Sequence, residues 1–262
     1  ANKGAELNKQ LGNMRQWEEC LVMLAHRAHF LSQFQRSIEI WTELYESALQ
    51  RGDAQAQCWG LTGRVEGLLP LGHLDKAMGL LELALSLLTE VDDYTTDISA
   101  YGLLSVTQLR QGRLEAAEKT AEKALSVIIQ SSPTAYSALE GYAATAETWL
   151  GLWESTGRNR FKVPAQQACK ALRGFARVFP IARPQAGMWQ GVYYRLAGKP
   201  RQAQTAWRKS LKAAQQFNMA YEMGLIHTEM GRHLPDNDPA RSDHLNQAAQ
   251  IFTRLNIDPP KM

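Results

Sequence analysis

The chain has 262 residues, and from Ser155 to Tyr221 it contains no aspartate or glutamate. At ordinary composition roughly one residue in eight is acidic, so a gap of this length is a feature to be explained. Cysteine is equally sparse. Cys20, Cys58 and Cys169 are odd in number, far apart and in no CxxC pair. That set excludes a disulfide framework, points to a reducing compartment such as the cytoplasm, and assigns all three to small core positions. No apolar run reaches the roughly 18–20 residues of a membrane span; Leu80–Leu88, for example, is broken by Glu82. The polar opening ANKGAELNKQ has no signal-peptide pattern, and a start at Ala1 suggests a piece of a longer chain. Strand signals are missing too: there is no sustained two-residue alternation and no Asn-Gly or Asp-Gly turn. GxxxxGK[ST], GxGxxG and GxSxG are all absent, so no phosphate loop or nucleophile elbow supports catalysis, and no cofactor is expected.

What is present is basic charge, and it is sorted. Residues 1–154 carry 12 basic and 20 acidic side chains, the acid-free segment carries thirteen basic ones, and residues 222–262 carry 4 and 6, yet the whole chain is only +3. Such sorting suggests a surface for something negative: an acidic protein, a phosphate or a nucleic acid.

Helix signals recur at intervals. LGHLDKAMGLLELAL surrounds Gly72, QGRLEAAEKTAEKAL surrounds Gly112 and AGKPRQAQTAWRKSL surrounds Gly198. In each, a Gly is followed five residues later by Ala77, Ala117 or Ala203, and seven further on by Ala84, Ala124 or Ser210. The Gly ends one helix in the left-handed conformation that only glycine enters without steric cost. The two small residues lie two turns apart on the next helix and let it pack closely on its predecessor. Self-similar helix pairs at this period predict an α-solenoid. The predicted pairs are 13–31 with 33–51, 54–71 with 74–90, 94–111 with 114–130, 133–156 with 163–179, 183–197 with 200–217, and 219–233 with 239–255. Asp53 is the expected N-cap of the third helix, and Pro133, Pro200 and Pro239 fall near helix starts. No Gly/Ser-rich linker interrupts the series, so residues 1–262 are read as one array with its most flexible point at 158–164.

The spacing Gly-x4-Ala-x6-Ala-Leu, with an aromatic four residues after the first Ala, resembles the tetratricopeptide repeat (TPR). Gly191, Tyr194, Gly198, Ala203 and Trp207 carry the fullest match. The repeat around Gly231 offers Gly224 at the close-contact position but His227 in place of tyrosine. Ser32-Gln-Phe34-Gln-Arg-Ser37 looks like a degenerate turn, and RNRFKVP is inserted after Gly157. The resemblance implies an all-α, right-handed superhelix of about twelve helices in antiparallel pairs. It further implies first helices on a concave groove, second helices on the convex face, and protein partners. Residues 133–255 are also similar to the C-terminal TPR tails of bacterial multidomain signalling proteins with NTPase, cyclase or kinase modules. In that setting such a tail acts as a sensor or docking arm.

Individual residues offer little other chemistry. His26 and His29 lie three apart on a predicted helix, but a metal site needs three or four donors, so both are read as partly buried histidines and no metal is expected. His227 and His233 lack HExxH spacing, and His227 is read as a packing residue. Glu18-Glu19 and Asp92-Asp93 are assigned to solvated faces or turns. Six of the seven tryptophans are assigned to helix packing, and alignment to the repeat puts Trp59 on the groove. The basic residues are the candidate site. Lys170, Arg173 and Arg177 form one helical stripe, and Arg201, Arg208 and Lys212 form another. Arg158, Arg160 and Lys162 of the insertion join them, and Arg195, like Arg110, aligns with the groove. Without acidic neighbours for i,i+4 pairing, these ten residues (Arg110 aside) predict a surface that docks an acidic protein segment or a neighbouring domain, with self-association through the acidic N-terminal half as one form of it. A nucleic-acid or polyanion partner is the alternative. It asks for exposed aromatics interleaved with the basic residues, whereas the tryptophans read as core.

Overall fold

A computed structural model describes residues 2–259, which form thirteen α-helices and no strand. They are α1 (Asn2–Gln10), α2 (Met14–Phe30), α3 (Phe34–Arg51), α4 (Ala54–Leu68), α5 (Leu74–Leu87), α6 (Tyr94–Arg110), α7 (Leu114–Gln130), α8 (Leu139–Thr156), α9 (Lys162–Val178), α10 (Arg183–Leu196), α11 (Pro200–Phe217), α12 (Ala220–Arg232) and α13 (Pro239–Leu255). From α2 onward they are antiparallel pairs, as the recurring spacing predicts. Consecutive helices pack on each other, and α2, α4, α6, α8, α10 and α12 also touch in sequence as one inner layer. The fold is therefore an all-α, TPR-like solenoid.

The small residues act as the spacing requires. Ala77, Ala117, Ala203, Ala84 and Ala124 are wholly buried. Gly112 turns the chain between α6 and α7 at φ +76. The inner helices approach most closely at Gly102 and Gly141, where a Cβ on Gly102 would lie 2.3 Å from the Gly141 carbonyl oxygen. Asp53 caps α4 by accepting from the Ala56 N–H at 2.9 Å.

Four details depart from the expected pattern. Helix α1 precedes the first pair; it has little apolar surface to announce it, and it buries Ala5 while Lys9 covers Trp17 at 4.6 Å from the ring centre. Helix α8 starts at Leu139 rather than 133, because the chain first runs through a short 3-10 turn, Tyr136–Ala138, that packs Tyr136 against His26 at 5.3 Å. Gly231 lies inside α12, within the predicted helix 219–233, and does not end its helix as the other repeat glycines do: a Cβ there would meet Leu245 at 2.7 Å, so its role is close contact with α13. The insertion after Gly157 forms a 3-10 turn, Asn159–Phe161, with Phe161 buried beside Trp149.

The array bends until its first pair meets its last. Ser32, between α2 and α3, adopts φ +60 and accepts a hydrogen bond from the backbone N–H of Tyr221 at 2.9 Å. Phe34 meets the Tyr221 ring edge-on at 5.2 Å between centres. The degenerate turn thus keeps the left-handed backbone that Gly supplies elsewhere, and its side chain joins the two ends.

Candidate functional site

The inner layer encloses three adjoining cavities. The first, about 340 Å³, lies between α2, α4, α6 and Tyr136. The second, about 60 Å³, is central and shares Glu66 with the first. The third, about 410 Å³, shares Arg110, Glu147 and Trp189 with the second. Their ionisable lining is mostly acidic: Glu19, Glu66, Glu140, Glu147, Glu154, Glu222 and Glu229 stand against Arg110, Arg232, His26 and His29.

At the centre His29 Nε2 lies 3.4 Å from Glu140 Oε1, and Gln185 Nε2 donates to that same oxygen at 2.9 Å. Burial opposes a charge on His29, but the Glu140 carboxylate, with Glu66 and Glu222 behind it, outweighs burial and raises its pKa to about 9. Burial likewise opposes charge on Glu140, and His29 overcomes it, holding Glu140 below its usual value. Glu222 has no cation of its own. Burial, reinforced by Glu140, lifts it to about 7. Glu66 is raised well above the carboxylate range by burial, and burial lowers His26 to about 4. The result is one charged pair beside groups whose neutral forms burial favours, as desolvation dictates. Next to it, Arg110 bonds Glu147 at 2.7 Å and Arg232 spans Glu154 and Glu229.

Several sequence expectations change here. His26 and His29 are fully enclosed and belong to this network. Glu18 is not on a solvated face: it is wholly buried, accepts from Ser47 at 2.7 Å and pairs with Arg51 at 2.5 Å. Asp93 caps α6 through the Thr95 N–H at 2.9 Å. Cys58 and Cys169 are core residues, but Cys20 is only partly buried. His227 packs against His244, with their Nδ1 atoms 2.9 Å apart. Six tryptophans are buried, and Trp59 alone is partly exposed, on the inner side where alignment puts it. Among the described residues, no group of three or more His, Cys, Asp or Glu could hold a metal ion.

The basic residues are elsewhere. Lys170, Arg173 and Arg177 on α9, Arg201, Arg208 and Lys212 on α11, Arg158, Arg160 and Lys162 around the insertion, and Arg195 in the last turn of α10 are all exposed. Arg160 does have an acidic partner, Glu118 of α7, at 2.6 Å. The other nine have none within ion-pair distance among the described residues. Arg110 faces inward, but it is already paired with Glu147.

Residues 98–128 match the tetratricopeptide repeat family model. The match covers most of α6 and α7, including Gly102, Gly112, Ala117 and Ala124, the residues that set the packing between those helices. TPR repeats generally mediate protein–protein interaction, and a TPR helical-repeat fold is typically non-catalytic. No curated protein matches the chain. None of the described helices is long and apolar enough to cross a membrane.

Sequence reasoning missed the inner acidic network. A signal for it was available: α8 carries Glu140 and Glu147, and α12 carries Glu222 and Glu229, each pair seven residues apart on one helical face. Glu154, a further seven residues along α8, and Arg232 of α12 share those faces, whose remaining residues are mostly apolar or small.

Proposed function

We propose that this TPR-like array is a non-catalytic docking module that uses the outer surface of 155–221 to hold an acidic protein segment or an adjacent domain of a parent protein. The observation that carries this reading is the run of nine exposed cations without acidic partners on and around α9 and α11. Mutual repulsion among them is relieved when a negative partner arrives, and their field raises the rate of encounter. The tract enclosed by the inner helices is acidic and narrow at its centre, so docking on the outside is favoured over threading an acidic peptide through the groove. A regulatory role in a signalling protein, a single repeat array over 1–262 and a cytoplasmic location fit the same reading, the last because the three cysteines are free thiols. Nucleic acid is the weaker partner, since no exposed aromatic side chain is interleaved with the ridge as stacking would need.

The test is binding of a fluorescent poly-glutamate peptide and, in parallel, a single-stranded oligonucleotide, each over a salt series. Peptide binding that weakens steeply with salt supports the proposal. Binding of the oligonucleotide alone replaces it with the polyanion reading, and binding of neither removes the ridge as a docking site.

A further inference from the structure

The cavity of about 340 Å³ has the size of a small-molecule site, and its walls are unlike the rest of the tract. Trp41, Trp59 and Tyr136 supply aromatic surface, and Met23 stands at the rim with more than half its surface exposed. His26 and Glu66 form the polar floor; each is at least 96 % buried. Their facing atoms, His26 Nε2 and Glu66 Oε2, are 3.6 Å apart, and neither has a hydrogen-bond partner among the described residues. On the other side of the ring His26 Nδ1 meets the Val22 carbonyl oxygen at 2.9 Å. A carbonyl only accepts, so Nδ1 carries the proton and Nε2 is left as an acceptor. Two buried polar atoms without partners thus belong to residues that line an aromatic-walled cavity; His26 Nε2 is an acceptor, and Glu66 becomes one when ionised, so the pair suits a ligand that donates hydrogen bonds.

The surroundings specify its charge. Aromatic faces attract cations, and Trp59 already does so within the chain: the Arg15 guanidinium lies 4.3 Å from its ring centre. The cavity mouth adds Glu19, and residues 1–154 have an excess of acidic side chains.

We propose that this cavity binds a small organic ammonium ion with an apolar, preferably aromatic, body, whose nitrogen donates to Glu66 and His26 while its body lies between Trp41, Trp59 and Tyr136. The titratable groups facing Glu66 are His26 and His29 on α2, Glu140 on α8 and Tyr136, and Glu222 on α12 lines the central cavity with it. Burial raises the Glu66 pKa well above the carboxylate range and favours its neutral form in the free protein. An arriving ammonium favours the carboxylate, so the Glu66 proton leaves to solvent and the bound pair is R–NH3⁺ with Glu66–COO⁻. This site is separate from the basic ridge, so its failure leaves the docking proposal standing. As an input beside a docking surface, it would give the array something to sense.

Calorimetry and tryptophan fluorescence with phenethylamine test it, alongside the neutral analogue 2-phenylethanol and the blocked peptide acetyl-Gly-Lys-Gly-amide. Saturable phenethylamine binding is expected, with 2-phenylethanol weaker by about tenfold or more, as the loss of a charged hydrogen bond implies. Repeating the titration in buffers of different ionisation enthalpy should show release of about one proton. Glu66→Gln keeps the shape and should weaken binding to a similar degree. Trp59→Ala, at a partly exposed position that leaves the core intact, should weaken it too. Tighter binding of the lysine peptide than of phenethylamine would retain the ammonium site and identify its source as a peptide side chain. Equal affinity for the amine and the alcohol, no effect of Glu66→Gln in a folded variant, or no binding of either ammonium compound would overturn it.

Discussion

The Ser32 hydroxyl and the Tyr221 backbone N–H, 189 positions apart, form a hydrogen bond of 2.9 Å that joins the first helix pair to the last. Both residues are buried. The donor is an N–H of the first turn of α12, which has no partner within its own helix. Ser32→Ala leaves that N–H unsatisfied and should cost about 1–3 kcal/mol. Ser32→Gly removes the same bond but relieves the positive φ, so it should cost less than Ala. Urea denaturation ranks the two variants, and hydrogen exchange at Tyr221 should accelerate in both.

The contact between α6 and α8 leaves no room for a side chain at Gly102, because the obstacle is backbone of Gly141. Gly102→Ala should therefore destabilise by more than Ala117→Leu, for which overpacking costs about 1–3 kcal/mol. Thermal melts of the two variants check the order; a neutral Ala117→Leu would contradict the packing of α7 described above.

Stability should depend on pH in an uncommon direction. Glu222 has its folded pKa raised from 4.5 to about 7, so its contribution is complete below 4.5 and is lost as pH rises through 7. His29 is raised from 6.5 to about 9, and its contribution is lost as pH rises through 9. Glu140, Asp53 and Asp93 are depressed, so theirs is lost in acid. His26 and His227, lowered from 6.5 to about 4 by burial, lose their contribution as pH falls from 6.5 through 4 and so oppose Glu222 there; linkage therefore predicts a decline from about pH 6.5 to pH 9 and a further loss in acid. Glu222→Gln should steepen the loss of stability on acidification below 6.5, because the two histidines are then unopposed, while His29→Gln should flatten the alkaline decline. Denaturant midpoints measured across this range decide it.

Charge reversal on the outer surface gives a third kind of readout. Arg173→Glu with Arg177→Glu should leave the far-ultraviolet circular dichroism unchanged and weaken poly-glutamate binding by about tenfold, a loss that shrinks as salt shortens the screening length below about 8 Å. Affinity indifferent to both the reversal and salt would mean that α9 only faces solvent.

The solenoid was legible because its determinants are local: glycines that end helices and alanines two turns apart report the packing without reference to distant chain. Helix α1 and the extended approach to α8 were not, since neither has a strong apolar period. The basic candidates were readable as a composition gap, yet the Arg160–Glu118 pair depends on the stacking of α9 on α7. Glu66, Glu140 and Glu222 come from three helices spread over much of the chain, and only the bend of the array brings them together. Their effect on His29 is a property of that assembly. A reading that treats Glu18 as solvated fails for the same reason: Ser47 and Arg51, which hold it, are a helix away.

An open helical-repeat array behaves as a one-dimensional spring, fraying from its ends and stretching under load. Here the α2–α3 pair is fastened to the α12–α13 pair, so neither terminal pair is free to peel first, while α1 lies outside the closure. Unzipping must begin by breaking the Ser32–Tyr221 seam, and every repeat then loses its lateral support together. The chain should resist partial unfolding until that seam opens and then come apart in one step. A single repeat added or removed would shift the ends out of register and unfasten the molecule.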